Sequence, residues 1–184
     1  ENAQAGPYIL FYLGDLSVLS AKELGKIAHR FLSHTHIDHF AVFEQLLRQT
    51  LSRPEPLYLY GPTNFISQIS SKLKGFTWNL IKDPCYTLEF VITDVRPRML
   101  LQQNLRAANV FLPEKPPQKL PFNANLLNTE TFSLNCAIFD HGTPCLGFAL
   151  TAKERCHIYV PALANIGLRS GPWLTHLTAS LGLT

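Results

Sequence analysis

Residues 34–39 read HTHIDH, three histidines and an aspartate within six positions. Imidazole and carboxylate are the donors that suit zinc, although iron and manganese take the same set. In an extended segment His34 and His36 project to the same side, two residues apart. Asp38 and His39 follow where the chain bends into a helix, so they can face a second ion. Two ions about 3.5–4 Å apart share a bridging hydroxide and clamp both the attacking and the leaving oxygen of a displacement. The bland alternative is a polar turn with solvent-facing histidines, which gives no reason for this spacing. The cluster cannot complete a metal site alone. Of the other histidines, His141 is the best third ligand, because it ends the strand-like run NCAIFD and enters a Gly-Thr-Pro turn. His29, at the start of the strand feeding the motif, reads as structural. His157, in CHIYV, and His176, in a helical stretch, read as structural or surface residues.

The flanking pattern places the motif on a loop between a strand and a helix. Tyr8 to Leu13 (YILFYL) is an apolar run that suits a buried strand, and SAKE at Ser20 to Glu23 has the form of a capping box. His29 to Ser33 returns as a strand, and Phe40, Phe43, Leu46 and Leu47 then recur at helical spacing through Arg48. Leu57 to Tyr60 predicts a strand, followed by a Gly-Pro-Thr turn and a helix with Phe65, Ile66, Ile69 and Leu73 on its apolar face. Further strands are predicted at Tyr86 to Thr93, Thr131 to Phe139 and Leu146 to Leu150, the last two joined by the turn around Gly142. Arg96 to Asn128 holds five prolines with several Asn and Gln, so it reads as an irregular excursion with one strand at Ala107 to Leu112. Strands alternating with helices, then strands together, predict an α/β or α+β sandwich rather than an all-α or all-β fold.

At 184 residues with 46% hydrophobic side chains, the chain most simply forms one domain spanning 1–184 with a packed core. A net charge of +3 permits contact with phosphate-bearing ligands without predicting it. Lys72, Lys74 and Lys82, and Arg96, Arg98 and Arg106, could meet phosphates, but a solvated face is the simpler reading. Phe76 and Trp78 read as core rather than as stacking platforms. The four cysteines (Cys85, Cys136, Cys145, Cys156) form no C-x-x-C pair and read as small buried hydrophobes in a reducing compartment. No apolar run approaches the ~20 residues of a membrane span and no signal-peptide pattern opens the chain, so the expectation is a cytoplasmic protein without membrane contact.

With these residues in view, the chain resembles the metallo-β-lactamase superfamily and, within it, the ribonuclease Z (tRNA 3′-processing endonuclease) branch. FLSHTHIDHF looks like the strand, metal motif and helix of that family, and GPTNFISQI, KLKGFTWNL, DHGTPCLGFAL and LRSGPWL resemble the stretches that follow, in the same order. The resemblance runs from about Tyr8 to Leu177; HTHIDH is specific for the superfamily, the later stretches less so for the branch. It implies an αββα sandwich with two zinc ions at one edge of its paired sheets. Carried over, His34, His36 and His141 hold one zinc, and Asp38 and His39 belong to the second. A metal-bound hydroxide then attacks the phosphorus of an RNA phosphodiester, with Asp38 orienting or deprotonating that water. Three histidines plus water is also, on general grounds, the open form of a zinc site. The implied partner is a tRNA precursor or another phosphodiester, and the candidate assembly is a homodimer.

Three departures limit the carry-over. The family supplies an aspartate bridging both metals and a last histidine after the position of His141, whereas no aspartate follows Asp140 here. The strands that precede YILFYLG in the family are missing. The family's F-D-x-G, whose aspartate supports the metal ligands, reads FYLG, with Tyr12 in place of the acid; losing such support typically costs about 10–100-fold in metal affinity or activity. The expectation is therefore a partial sandwich carrying one zinc, either a piece of a longer enzyme, the favoured reading, or a degenerate member. Three functions remain: a ribonuclease Z-like phosphodiesterase, a hydrolase of a small ester, thioester or lactone, and a non-catalytic zinc-binding module.

Overall fold

Side-chain alternation decides what covers each face of the central sheet. In β3 (Leu57–Pro62), Leu57 and Leu59 join one buried cluster while Tyr58 and Tyr60 join another on the opposite side. β4 (Glu89–Arg96) divides the same way: Phe90 and Ile92 pack with the first cluster and Val95 lies in a third, on the far side. The computed structural model describes residues 8–81, 84–153 and 158–180. Lys82, Cys156 and His157 lie outside the described residues.

Among those residues, a six-stranded sheet runs in the order β1 (Tyr8–Phe11), β2 (Ile27–Phe31), β3, β4, β5 (Met99–Arg106), β6 (Gln118–Pro121). The first four strands are parallel and the last two join antiparallel. Helices α1 (Ala21–Lys26), α2 (Ile37–Phe40), α3 (Phe43–Thr50) and α4 (Phe65–Lys74) bury Leu24, Phe40, Phe43, Leu46, Leu47, Phe65, Ile69 and Leu73 against one face. A second sheet, β7 (Asn125–Asn128), β8 (Phe132–Asp140) and β9 (Pro144–Ala152), packs on the other through Leu134, Cys136, Leu146 and Phe148. Helix, sheet and sheet thus stack in three layers, a mixed α/β architecture. On the second sheet's outer face Asn135, Ala137, Phe139 and Ala149 are exposed, and α5 (Val160–Asn165) and α6 (Trp173–Ser180) are largely solvent-facing, His176 included. No helix among the described residues is long and apolar enough to cross a membrane.

The capping box at Ser20 is present in full: Ser20 N donates to Glu23 Oε2 at 2.8 Å and Glu23 N to Ser20 Oγ at 3.3 Å. Three expectations need correction. Tyr8 to Leu13 is only partly buried, because β1 lies at the sheet edge with Tyr8 50% and Phe11 39% exposed, and Leu13 alone of the run is fully buried. The strand read at Tyr86 to Thr93 begins at Glu89 and runs to Arg96, since its pairing with β3 starts at Leu57↔Phe90. The segment 96–128 is ordered rather than irregular. Pro97 and Arg98 (φ +69°) form a two-residue turn, in the pattern of a type II turn, and β5 returns along the whole of β4. Ala107 to Leu112, read as a strand, is a 3₁₀ turn at Ala107–Asn109 followed by two residues, Val110 and Phe111, at positive φ. The sequence misleads there because Gln and Asn replace apolar residues in β5. Gln103 is buried in the row opposite Ile92, and its amide donates to Asn104 O and Lys115 O, both at 3.1 Å.

Between the sheets the Phe31 and Tyr60 rings stack at 4.5 Å, Phe148 meets Phe31 at 5.7 Å, and His29 lies on Tyr58 at 4.7 Å with Nδ1 3.2 Å from Tyr60 Oη. Burial lowers His29 from 6.5 to about 4, so the folded state keeps a neutral imidazole that the unfolded chain protonates. Stability from this group is fully present above pH 6.5 and is lost as pH falls toward 4. The melting temperature should therefore fall on acidification through that window, and fall less steeply in His29→Gln. Parallel slopes for the two proteins would contradict the assignment.

Candidate metal centre

The motif loop leaves the carboxyl end of β2. Phe31 and Leu32 are fully buried, and Leu32 N donates to Tyr60 O at 2.8 Å, prolonging the parallel pairing by one residue before the chain turns outward. His36 then caps the short α2 in an extended conformation (φ −61°, ψ 155°), which places Asp38, His39 and Phe40 on its single turn. Phe40 is buried against Phe43 and Phe65 and pins that turn to the helix layer.

His141 arrives from the other sheet. It opens the three-residue turn between β8 and β9, where Gly142 sits at φ +70° and His141 N donates to Thr143 O at 3.0 Å. A three-residue hairpin loop needs such a left-handed residue, and glycine takes it without strain. Leu146 N in turn donates to Ser33 O at 2.8 Å, a backbone bond from the second sheet to the residue before His34.

The outcome is a cluster in which the donor atoms of His34, His36 and His141 all lie within 4.8 Å of one another. Ring centroids are separated by 4.5 Å for His34–His36, 5.3 Å for His34–His141 and 5.7 Å for His36–His141. His34 is buried (7% exposed), while the other two face solvent, so the site opens outward. Burial, then the neighbouring His39, His36 and His141, hold the His34 imidazole below its ordinary value, with Asp38 pulling the other way. A neutral imidazole has a lone pair to give, so the residues present fit a divalent cation.

Asp38 and His39 are not brought into that group. Asp38 is 69% exposed, with Oδ2 3.4 Å from His39 Nε2. The His39 ring turns toward His34, centroids 4.0 Å apart, and its Nδ1 is buried with no hydrogen bond. Tyr12 also meets the His39 ring, edge-on with centroids 4.6 Å apart. Tyr12 stands at φ +85°, and its ring folds over Gly14 so closely that any Cβ there would overlap it. The neighbourhood of His39 therefore contains a phenol where the resemblance implies a carboxylate.

His29 belongs to the intersheet stack rather than to the cluster. Several cations considered for phosphate are already paired: Lys72 with Glu44 at 2.6 Å, Arg96 with Asp94 at 2.9 Å, and Arg106 with Glu89 at 3.2 Å. Lys74 and Arg98 are exposed. Trp78 is half-buried against Phe111 with Nε1 donating to Leu73 O, whereas Phe76 is 40% exposed. Two residues escaped the sequence reading. Asp94, 1% exposed, accepts from Asn64 N and Ile66 N at 3.1 and 2.7 Å and fixes the start of α4; an acid inside the apolar run VITDVR was its signal. Cys145 places Sγ 3.8 Å from His34 Nδ1, a contact that no local pattern announces.

No family model matches the chain. Among curated proteins it is 26% identical over 165 residues to ribonuclease Z of Deinococcus radiodurans, covering 89% of this chain and 49% of that one. It is 27% identical over 180 residues to ribonuclease Z of Pyrococcus abyssi, with 94% and 48% covered. The chain is similar to ribonuclease Z. It spans about half the length of the curated relatives it matches. Among solved structures, the metallo-beta-lactamase fold protein YhfI from Bacillus subtilis aligns with a TM-score of 0.45 at 17% identity, covering 80% of this chain and 47% of that one. Human tRNase Z, short form, aligns at 0.43 and 19%, with 78% and 52% covered.

The turn that carries His141 gives a direct test. Gly142 has open space where a Cβ would lie, so a substitution there is penalised through its backbone conformation alone, by roughly 1–2 kcal/mol. Gly142→Val should lower metal affinity about tenfold or more by turning His141 away, while Gly142→Asn, which tolerates this conformation, should lower it much less. Titration with zinc checks this, and equal affinities for the two variants would contradict the placement of His141.

Proposed function

We propose that the chain carries the first metal site of a ribonuclease Z-like hydrolase that cleaves an RNA phosphodiester, with the 3′ extension of a tRNA precursor as substrate. The observation that carries this reading is the convergence of His34, His36 and His141, from two different sheets, within 4.8 Å. The similarity to curated ribonuclease Z proteins supports the substrate class. His34, His36 and His141 are assigned as ligands of one zinc, with His39 and Asp38 on the side of a second ion. A divalent cation bound there supplies Lewis-acid stabilisation and an acidified water.

The chain's own residues do the rest. Burial keeps His34 neutral and able to ligate. His36 and His141 face solvent, so an extended RNA strand reaches the site without a channel. Asp38, exposed next to His39, is assigned as the carboxylate that accepts a proton from an attacking water. His39, 3.4 Å from Asp38 Oδ2, orients that carboxylate.

A second reading, a zinc-binding module without turnover, is favoured by one observation: no carboxylate of the described residues joins the histidine group, and Tyr12 occupies the flank of His39. Incubation of the zinc-loaded chain with a 3′-extended tRNA, a thioester and a lactone separates the readings. The expected result is slow, chelator-sensitive cleavage of the tRNA. Asp38→Ala should lose about 10²–10⁴-fold of it, the usual worth of a general base, with zinc content unchanged. Turnover of the thioester or lactone alone would assign the second hydrolase class, and inertness toward all three that persists in a zinc-loaded protein of the relatives' full length would assign the non-catalytic module.

A further inference from the structure

A neutral imidazole offers a metal one nitrogen, and something must hold the proton on the other. For His34 the structure contains two groups at the same atom: Ser33 Oγ lies 3.0 Å from Nδ1 and Cys145 Sγ lies 3.8 Å from it. We propose that Cys145 is a positioning residue for the metal centre, which with Ser33 holds the Nδ1–H of His34 and so turns Nε2 toward His36 and His141. The inference rests on the metal reading above and deepens it.

The contact is built into the fold. Cys145 pairs with Phe139 one position inside the turn that carries His141, so a single hairpin delivers both a ligand and the group that aims a second ligand. The bond from Leu146 N to Ser33 O joins the residues adjacent to both partners and fixes the distance between thiol and ring. Ser33 Oγ accepts from Nδ1–H, and the sulfur lies on the same side as a weaker acceptor that fills the space into which the ring would otherwise swing. Nε2 is then left with the lone pair. Groups that fix a ligating histidine in this way are typically worth about 10–100-fold in metal affinity.

Cobalt(II) added alone to the 184-residue chain, followed through its visible absorption, tests this without any substrate. Cys145→Ala should weaken cobalt binding about 10–100-fold, and Ser33→Ala should act in the same direction. Cys145→Ser, close in size and able to accept a hydrogen bond, should restore most of the affinity, a rescue that loss of packing alone would not show. If Cys145→Ala does not fold, as judged by circular dichroism, the pair Cys145→Ser and Ser33→Ala carries the comparison. No near-ultraviolet sulfur-to-cobalt charge-transfer band is expected, because the thiol is not a ligand. Unchanged affinity in folded Cys145→Ala would overturn the proposal and leave the metal site intact. A charge-transfer band lost in Cys145→Ala would overturn it by making the thiol a direct ligand. Failure of the unsubstituted chain to bind cobalt would overturn this inference and the metal reading together.

Discussion

His34 and His141 sit on loops that leave different sheets, and the backbone bond from Leu146 N to Ser33 O ties those loops together. That bond is placed by the intersheet layer behind it, where Phe31, Tyr60, Leu134 and Phe148 interlock. A one-residue slip of β9 would send every side chain of that strand to the opposite face. Leu146 would leave the core, Cys145 would leave His34, and the turn bearing His141 would move with them. The site is thus a product of sheet docking, and the aromatic layer supports the cluster although none of its residues belongs to it.

Within the site, exposure divides the labour. His34 is buried with its imidazole held below its ordinary value, while His36 and His141 remain open to solvent. On the other flank the arrangement is less complete. His39 leans on His34 with an unpartnered nitrogen, Asp38 points outward, and Tyr12 holds a left-handed backbone conformation against them. A bulky residue in that region costs of order 1–3 kcal/mol and persists only where its surroundings enforce it. Here they do: Tyr12 N donates to Phe31 O, and the bonds linking Leu13 with His39 and Val42 tie the same turn to α2 and α3.

Much of this was legible in the sequence because it rests on local pattern. HTHIDH marked the loop that holds two of the three clustered histidines, the Gly-Thr-Pro turn singled out His141 from four remaining histidines, and SAKE capped its helix as its spacing required. What escaped depends on long-range pairing. Cys145 and His34 meet across 111 positions, through a register that no local rule encodes. β5 was hidden because Gln103 takes a core position with its amide satisfied by two backbone carbonyls. The exposure of β1 follows from strand order, which YILFYL cannot reveal. Asp38 and His39 sit beside the cluster but outside it, since on a single helical turn one side chain faces inward while its neighbour faces solvent.

The central claim is that two sheets together present one metal ion with three histidines. The measurement that tests it most directly is metal content per chain by elemental analysis after zinc loading, for this protein and for His141→Ala. The account predicts one tightly held zinc per chain and its loss in the variant, with the melting temperature of the metal-free protein unchanged. Zinc retained in full by His141→Ala, or no zinc in the unsubstituted protein, would contradict it.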